Sequence, residues 1–417
     1  MISDLISTPP GWEKVRFGDI ARNVTDRIDN PKESGLKDYI GLDHLDTDEI
    51  RIKRFGSTDD VEATKFLCKK GDIIFGKRNA YLRKVAVTDR DAVVSAHSMV
   101  LRPKDDKIEP RFLPCFMQSS QFWKTAQAIS EGSMSPTIKW KTLSAQEFWL
   151  PSRNEQRKIA EILWSIEFNL ERLEQLTQVT EKLKKGLLEE LVTKGINQGK
   201  FKKTELGEIP EEWEIAKLGE LSERITKGTT PTTYGFEFVD EGINFIKVES
   251  IDEDGNFLPT QFAHIEQATN SALERSILEK DDILFSIAGA LGRVAIVKED
   301  ILPANTNQAV GIIRLPRNKR ISPDFLKLYL VSNLVKEYID KLNVKTAQAN
   351  LSLSILSDIP VVVPDEFSQK KIVQIADCTS HYCKSLKAHL EKLVYLKKKL
   401  TNSFLSGELL IPKEAMN

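Results

Sequence analysis

Residues 155–195 read EQRKIAEILWSIEFNLERLEQLTQVTEKLKKGLLEELVTKG. Apolar side chains recur at Ile159, Leu163, Ile166, Leu170, Leu173, Leu176, Leu183, Leu187 and Leu191, in steps of 4, 3, 4, 3, 3, 7, 4 and 4. That spacing draws one stripe along one face of a helix. Ser152 and Glu155 fit a capping box at its start, and Gly195 offers a left-handed stop at its end. At about 1.5 Å per residue the segment makes a rod of roughly 60 Å, longer than an ordinary globular helix. Such a stripe needs a partner.

Residues 368–407 supply one: SQKKIVQIADCTSHYCKSLKAHLEKLVYLKKKLTNSFLSG. The apolar positions are Ile372, Ile375, Tyr382, Leu386, Leu390, Leu393, Leu396, Leu400 and Phe404, in steps of 3, 7, 4, 4, 3, 3, 4 and 4. Two rods of equal length with matching stripes pair as a coiled coil and bury what neither buries alone.

What lies around the rods repeats. Trp12-Glu13 returns as Trp213-Glu214, a shift of 201 residues. Tyr39-Ile40 returns as Phe245-Ile246 at a shift of 206, and Ile73-Ile74-Phe75 as Ile283-Leu284-Phe285 at 210. His97-Ser98 meets Asn307-Gln308 at the same 210. Phe112-Leu113, Pro151 and Gln156 return as Phe325-Leu326, Pro364 and Gln369 at 213. A shift that grows in small steps is the mark of loop insertions in a duplicated unit. The chain therefore divides into a globular part at 1–154, a long helix at 155–197, a second globular part at 198–367, and a long helix with its tail at 368–417. Short apolar runs near 39–42, 72–75, 84–88 and 98–101 read as strands, as do 243–248, 282–287, 293–297 and 308–315. Helical segments follow near 110–129 and 323–342. The fold class is mixed α/β (α+β), two such domains joined by two long antiparallel helices with pseudo-two-fold internal symmetry. Residues 197–203 read as a polar linker.

Bulk composition excludes several classes. The chain has 417 residues, 41% hydrophobic and 29% charged, with a formal net charge of −1. A nucleic-acid surface on such a chain must be a local patch. No apolar run approaches the ~18 residues of a membrane span. Cys68, Cys115, Cys378 and Cys383 form no framework and no C-x-x-C pair, which points to reduced thiols and a cytoplasmic setting. Catalytic motifs are missing as well. Gly71–Lys77 has P-loop spacing, but Arg78 stands where Ser or Thr would hold Mg²⁺. Thr8-Pro9-Pro10-Gly11 lacks the Asn or Asp and the aromatic of an amino-methyltransferase motif. The five histidines show no metal-ligand spacing.

Binding signals are stronger. Gly76–Lys84 carries Lys77, Arg78, Arg83 and Lys84 with Asn79 and Tyr81 and no acid, directly after a strand. Lys and Arg neutralise phosphates, and Arg or Asn reads base edges. Lys139 and Lys141 flank Trp140. The matching stretch of the second unit contains Lys345 and Gln348. Lys227, Thr229 and Thr230 crowd one loop of that unit, Asn307 and Gln308 another, and Arg293 completes the candidate set. The two units differ most at these places while sharing an apolar frame.

Taken together, the chain resembles the specificity subunit of type I restriction-modification enzymes over almost its whole length. Gly207-Glu208-Ile209-Pro210-Glu211-Glu212-Trp213 and Pro10-Gly11-Trp12 open the two units. Leu150-Pro151 with Gln156 and Val363-Pro364 with Gln369 close them. Lys184-Lys185-Gly186-Leu187 and Lys397-Lys398-Lys399-Leu400, with Gly195 and Gly407, are similar to the ends of that family's spacer helices. The resemblance implies a non-catalytic subunit with two target recognition domains, each reading half of a bipartite site in double-stranded DNA. It implies rods that space these domains and dock two methyltransferase subunits, with restriction subunits joining them. It also implies that S-adenosylmethionine, ATP and Mg²⁺ belong to the partner chains and not to this one. Base-contacting residues vary within the family and are not transferable. Two other readings fit the residues: a scaffold joining two protein partners through its globular ends, and a nuclease with an unrecognised site.

Overall fold

Ser152 opens the first rod reciprocally. Its N–H donates to Glu155 Oε2 at 3.0 Å, and its hydroxyl oxygen accepts from the Glu155 N–H at 3.4 Å. In the computed structural model, which describes residues 11–104, 107–196, 199–343 and 350–411, this helix runs Arg153–Lys194. Gly195 ends it at φ +73°, its N–H donating to the Leu191 carbonyl at 3.1 Å. A Cβ there would lie 2.7 Å from the Trp213 ring, so only glycine satisfies both the turn and the packing. The second rod, Glu366–Ser406, starts where Asp365 accepts from the Ser368 N–H at 3.0 Å and stops before Gly407 at φ +77°.

Two compact units result. The first takes the residues up to Gln175 together with those from Lys387 onward; the second spans Leu176–Leu386. Each unit therefore owns half of each rod. In the first, Ile159, Ala160 and Leu163 share a core with Phe404 and Leu405. In the second, Leu191 and Val192 share one with Ile372. The start of one rod meets the end of the other in both cases, which is the antiparallel sense. The middle of the stripe departs from expectation. Leu176, Leu183, Tyr382 and Leu396 are exposed, Leu183 at 66%, while Glu167, Thr177 and Thr180 are buried. The buried line slips onto a neighbouring row of the first rod, and polar side chains occupy it.

The first unit holds a four-stranded antiparallel sheet in the order 21–24, 98–103, 73–76, 85–87. A second sheet is ordered 27–28, 65–68, 92–94, 38–40, 56–57, with 38–40 and 92–94 parallel. Strand Glu13–Arg16 pairs with Glu147–Leu150, which leads into the rod. The second unit repeats the plan. Its four-stranded sheet is 224–227, 310–314, 283–286, 294–296, and 263–265, 243–246, 304–306 form the smaller sheet, with 243–246 and 304–306 again parallel. Strand Glu214–Lys217 pairs with Pro360–Val363. The stretch read as a linker is partly structured, because Phe201–Thr204 pairs with Gly207–Pro210.

The frame is held alike in both units. Arg102 meets the buried Asp72 with two contacts of 2.6 Å, and Arg314 meets the buried Asp282 at 2.8 and 2.7 Å. Such bidentate pairs are the geometry a buried carboxylate requires. Gln156 Nε2 donates to the Pro151 carbonyl at 2.9 Å, and Gln369 Nε2 to the Pro364 carbonyl at 2.8 Å. The cores differ in filling. Phe17, Phe116, Phe122 and Phe148 pack ring against ring in the first, with Phe116 edge-on to Phe148 at 5.1 Å, whereas Leu218, Phe325, Tyr329 and Val361 fill the second.

Candidate nucleic-acid interface

One corner of the first unit gathers cations that share no ion pair among the described residues. Strand 27–28 pairs with strand 65–68 so that Arg27 faces Phe66 and Ile28 faces Lys65. The Lys77 N–H donates to the His97 carbonyl at 3.2 Å, tying the end of strand 73–76 to the turn before strand 98–103. Arg78 follows. Burial first, then Arg78 and Arg27, push the Lys77 ammonium below its ordinary range. Burial first, then Arg78, Lys77 and Lys65, push His97 down. Burial is the larger cause of both shifts, and repulsion among the cations adds to it. Among the described residues none of the five forms an ion pair. Arg27 lies 5.6 Å from the Phe66 ring, and Lys65 donates to the Glu62 and Ala63 carbonyls. An anion arriving here relieves repulsion that the protein leaves unbalanced.

The neighbouring candidates are engaged in the frame. Lys84 Nζ donates to the Leu42 carbonyl at 2.6 Å. Arg293, which precedes strand 294–296 as Lys84 precedes 85–87, donates to the Val248 carbonyl at 3.2 Å and the Ile251 carbonyl at 2.7 Å. Leu42–His44 and Val248–Ser250 are equivalent turns, so Lys84 and Arg293 are one clasp built twice. Arg83, at φ +50°, sits 2.7 Å from Asp48 and donates to the Gln118 carbonyl at 3.2 Å. Asn79, at φ +53°, turns the chain after Arg78. Lys139 pairs with Glu131 at 2.7 Å. Trp140 packs edge-on against Phe17 at 6.1 Å and belongs with the core. Tyr81 and Lys141 are exposed.

The same corner of the second unit is made of hydrogen-bonding groups. Gly228 lets loop 227–230 approach 306–308. The Thr229 N–H donates to the Thr306 carbonyl at 3.2 Å, and a Cβ on residue 228 would lie 1.9 Å from that oxygen. The Thr230 hydroxyl donates to Gln308 Oε1, and Arg275 donates to Thr229 Oγ1 at 3.1 Å. Asn307 Oδ1 accepts from the Ala309 N–H at 3.1 Å, and Thr306 is buried with its hydroxyl on the Ile246 carbonyl. Lys227 and Gln308 face solvent. Lys345 and Gln348 lie outside the described residues. Arg27, Lys65, His97 and Arg275 escaped the sequence reading as candidates. The shift of 210 residues already pairs Lys65 with Arg275, and that was the available signal. No group of three His, Cys, Asp or Glu suited to a metal occurs among the described residues, and no described helix is long and apolar enough to cross a membrane.

Comparison with known proteins agrees with the duplication. The family described as the type I restriction modification DNA specificity domain matches residues 9–191 and again 210–394. The MjaVIII type I restriction enzyme specificity subunit of Methanocaldococcus jannaschii is 24% identical over 420 residues, 97% of this chain and 94% of that one. The EcoBI specificity subunit of Escherichia coli is 28% identical over 354 residues, 78% of this chain and 71% of that one. The crystal structure of the HsdS subunit from Thermoanaerobacter tengcongensis shares the fold at a TM-score of 0.51 and 19% identity, covering 98% of this chain and 100% of that one. With two copies of the family's domain filling most of its length, the chain belongs to the type I restriction-modification DNA specificity family, as a specificity subunit rather than an enzyme.

Proposed function

We propose that the two corners read the two halves of one interrupted DNA target. The observation that carries this is a shared frame with divergent corners: Lys84 and Arg293 make the same clasp, yet Arg27, Lys65, Lys77, Arg78 and His97 stand in one unit where Thr229, Thr230, Asn307, Gln308 and Arg275 stand in the other. Cations favour phosphate and guanine; amides favour adenine. Exposed apolar side chains on the rods, Leu176, Val179 and Leu183 in the second unit and Val394 and Tyr395 in the first, fit docking of two methyltransferase subunits. S-adenosylmethionine would then be bound by those chains, and ATP and Mg²⁺ by restriction subunits. Co-expression followed by native mass measurement tests the assembly. A single methyltransferase per specificity chain in an active complex would overturn this stoichiometry.

Arg78→Ala tests the first corner. Affinity for the target duplex should fall by about 1–3 kcal/mol with relaxed choice at one base if Arg78 reads a guanine. If it meets phosphate, affinity falls uniformly and the salt slope drops by about one. Unchanged affinity together with an unchanged salt slope removes Arg78 from the interface.

His97 adds a pH dependence. Burial first, and then its cationic neighbours Arg78, Lys77 and Lys65, hold it below its ordinary value of 6.5 in the free chain. Phosphates offset that repulsion, so the bound state takes up a proton and affinity climbs as pH falls through the histidine range. Titrations at pH 6 and 8 at constant ionic strength should show a steeper gain for wild type than for His97→Gln. Equal slopes would place His97 outside the contact.

A further inference from the structure

Beside the cationic corner stands a finger with no charge at its tip. Glu131 and Thr137 pair through two backbone hydrogen bonds, 3.1 and 2.8 Å, and the chain between them turns at Gly132 with φ +111°. Lys139 neutralises Glu131 at the base of the finger. The tip is Gly132-Ser133-Met134-Ser135-Pro136, and Met134 is 98% exposed, the most exposed large apolar side chain among the described residues. The finger is stapled to the corner itself. The Ile138 N–H donates to the Lys77 carbonyl and the Asn79 N–H to the Pro136 carbonyl, each at 2.9 Å, with Arg78 opposite Thr137 between them.

Resting on the reading of this corner as a DNA interface, we propose that the 132–136 finger is its second reading element, and that Met134 selects thymine through apolar contact with the 5-methyl group. Cations on the platform are drawn to phosphates and set the register. A charge-free tip carries no preference for the backbone and is free to lie at the depth of the base edges. Serine and glycine flanks keep it narrow enough for a groove. Thymine is the one base whose major-groove edge presents a methyl group. An unbranched, polarisable methionine adapts to such a contact at little cost in shape. An isolated methionine fully in water otherwise gains nothing, since no neighbour covers it in the free chain.

The test uses the full chain in complex with its methyltransferase partner. Bound duplexes are selected from a random pool with wild type and with Met134→Ala. The expected result is that one position fixed as a T·A pair in one half-site relaxes by roughly fourfold, the worth of burying one methyl group, while the other half-site is unchanged. Deoxyuridine at that position should weaken wild type by the same factor and leave Met134→Ala indifferent. An identical motif from both proteins, or relaxation at a position insensitive to deoxyuridine, overturns the proposal. If Arg78→Ala leaves motif, affinity and salt slope unchanged while Met134→Ala alters the motif, the finger stands and Arg78 leaves the interface. A wild-type complex that enriches no motif overturns the recognition reading and the finger with it.

Discussion

Lys397→Met should destabilise the first unit more than any change at its corner. Glu167 is 3% exposed, and Lys397 approaches its Oε1 from the second rod while Arg51 Nε lies 3.5 Å from its Oε2. Neither oxygen of Glu167 has a hydrogen bond of good geometry, so ion pairing alone compensates its burial. Removing one partner of a buried pair costs ~3–5 kcal/mol, and the remaining Arg51 places this case toward the lower end. Burial pushes the Glu167 carboxyl above its ordinary 4.5, and Lys397 pulls it back. A carboxyl with a raised folded value costs stability as pH rises through that value, because the unfolded chain ionises first. Without Lys397 the value climbs further. The deficit against wild type should therefore be full at pH 8 and shrink as pH falls toward 5. Urea midpoints of both proteins across that range provide the check, and a deficit independent of pH would show that lost packing, not the uncompensated charge, is responsible.

Gly228→Val should abolish one half of the recognised sequence. A Cβ at residue 228 would meet the Thr306 carbonyl oxygen at 1.9 Å and the Asn307 carbonyl oxygen at 2.5 Å, both backbone atoms that cannot rotate away. Loop 227–230 must lift, breaking the bond from Thr229 to Thr306 and separating Thr230 from Gln308. Overpacking of this kind costs about 1–3 kcal/mol, which a domain with the core of the second unit survives. Methylome sequencing of a host carrying the variant should show the half-site read by the second unit lost or degenerate, with the other half-site retained in whatever methylation persists. An intact bipartite motif would mean that loops 227–230 and 306–308 do not face the DNA.

Much of the frame was legible because its signals are local. Ser152, Glu155 and Gly195 mark rod ends by chemistry that acts within one helical turn. The middle of the rod was not, because Leu176 and Leu183 lie at helical spacing yet point to solvent while Thr177 and Thr180 turn inward. Periodicity offers both rows there, and only the partner surface chooses between them. At the corner, Lys77 and Arg78 were legible as cations after a strand. Lys84 reads as one more cation of that loop, and its bond to a carbonyl 42 residues away is not legible in the sequence. Arg27 and Lys65 were missed because strand pairing, not sequence proximity, brings them in.

The clasp formed by Lys84 and Arg293 bears on which positions of the loop before it tolerate substitution. Each holds the far end of the loop before it to a turn that follows a strand of the other sheet, so residues 77–83 or 287–292 lie between a strand that ends in the core and an anchor that grips backbone. A carbonyl offers the same grip whatever side chain its residue bears. Exposed positions between these boundaries, such as Tyr81, can therefore change while the strand and the anchor stay in place.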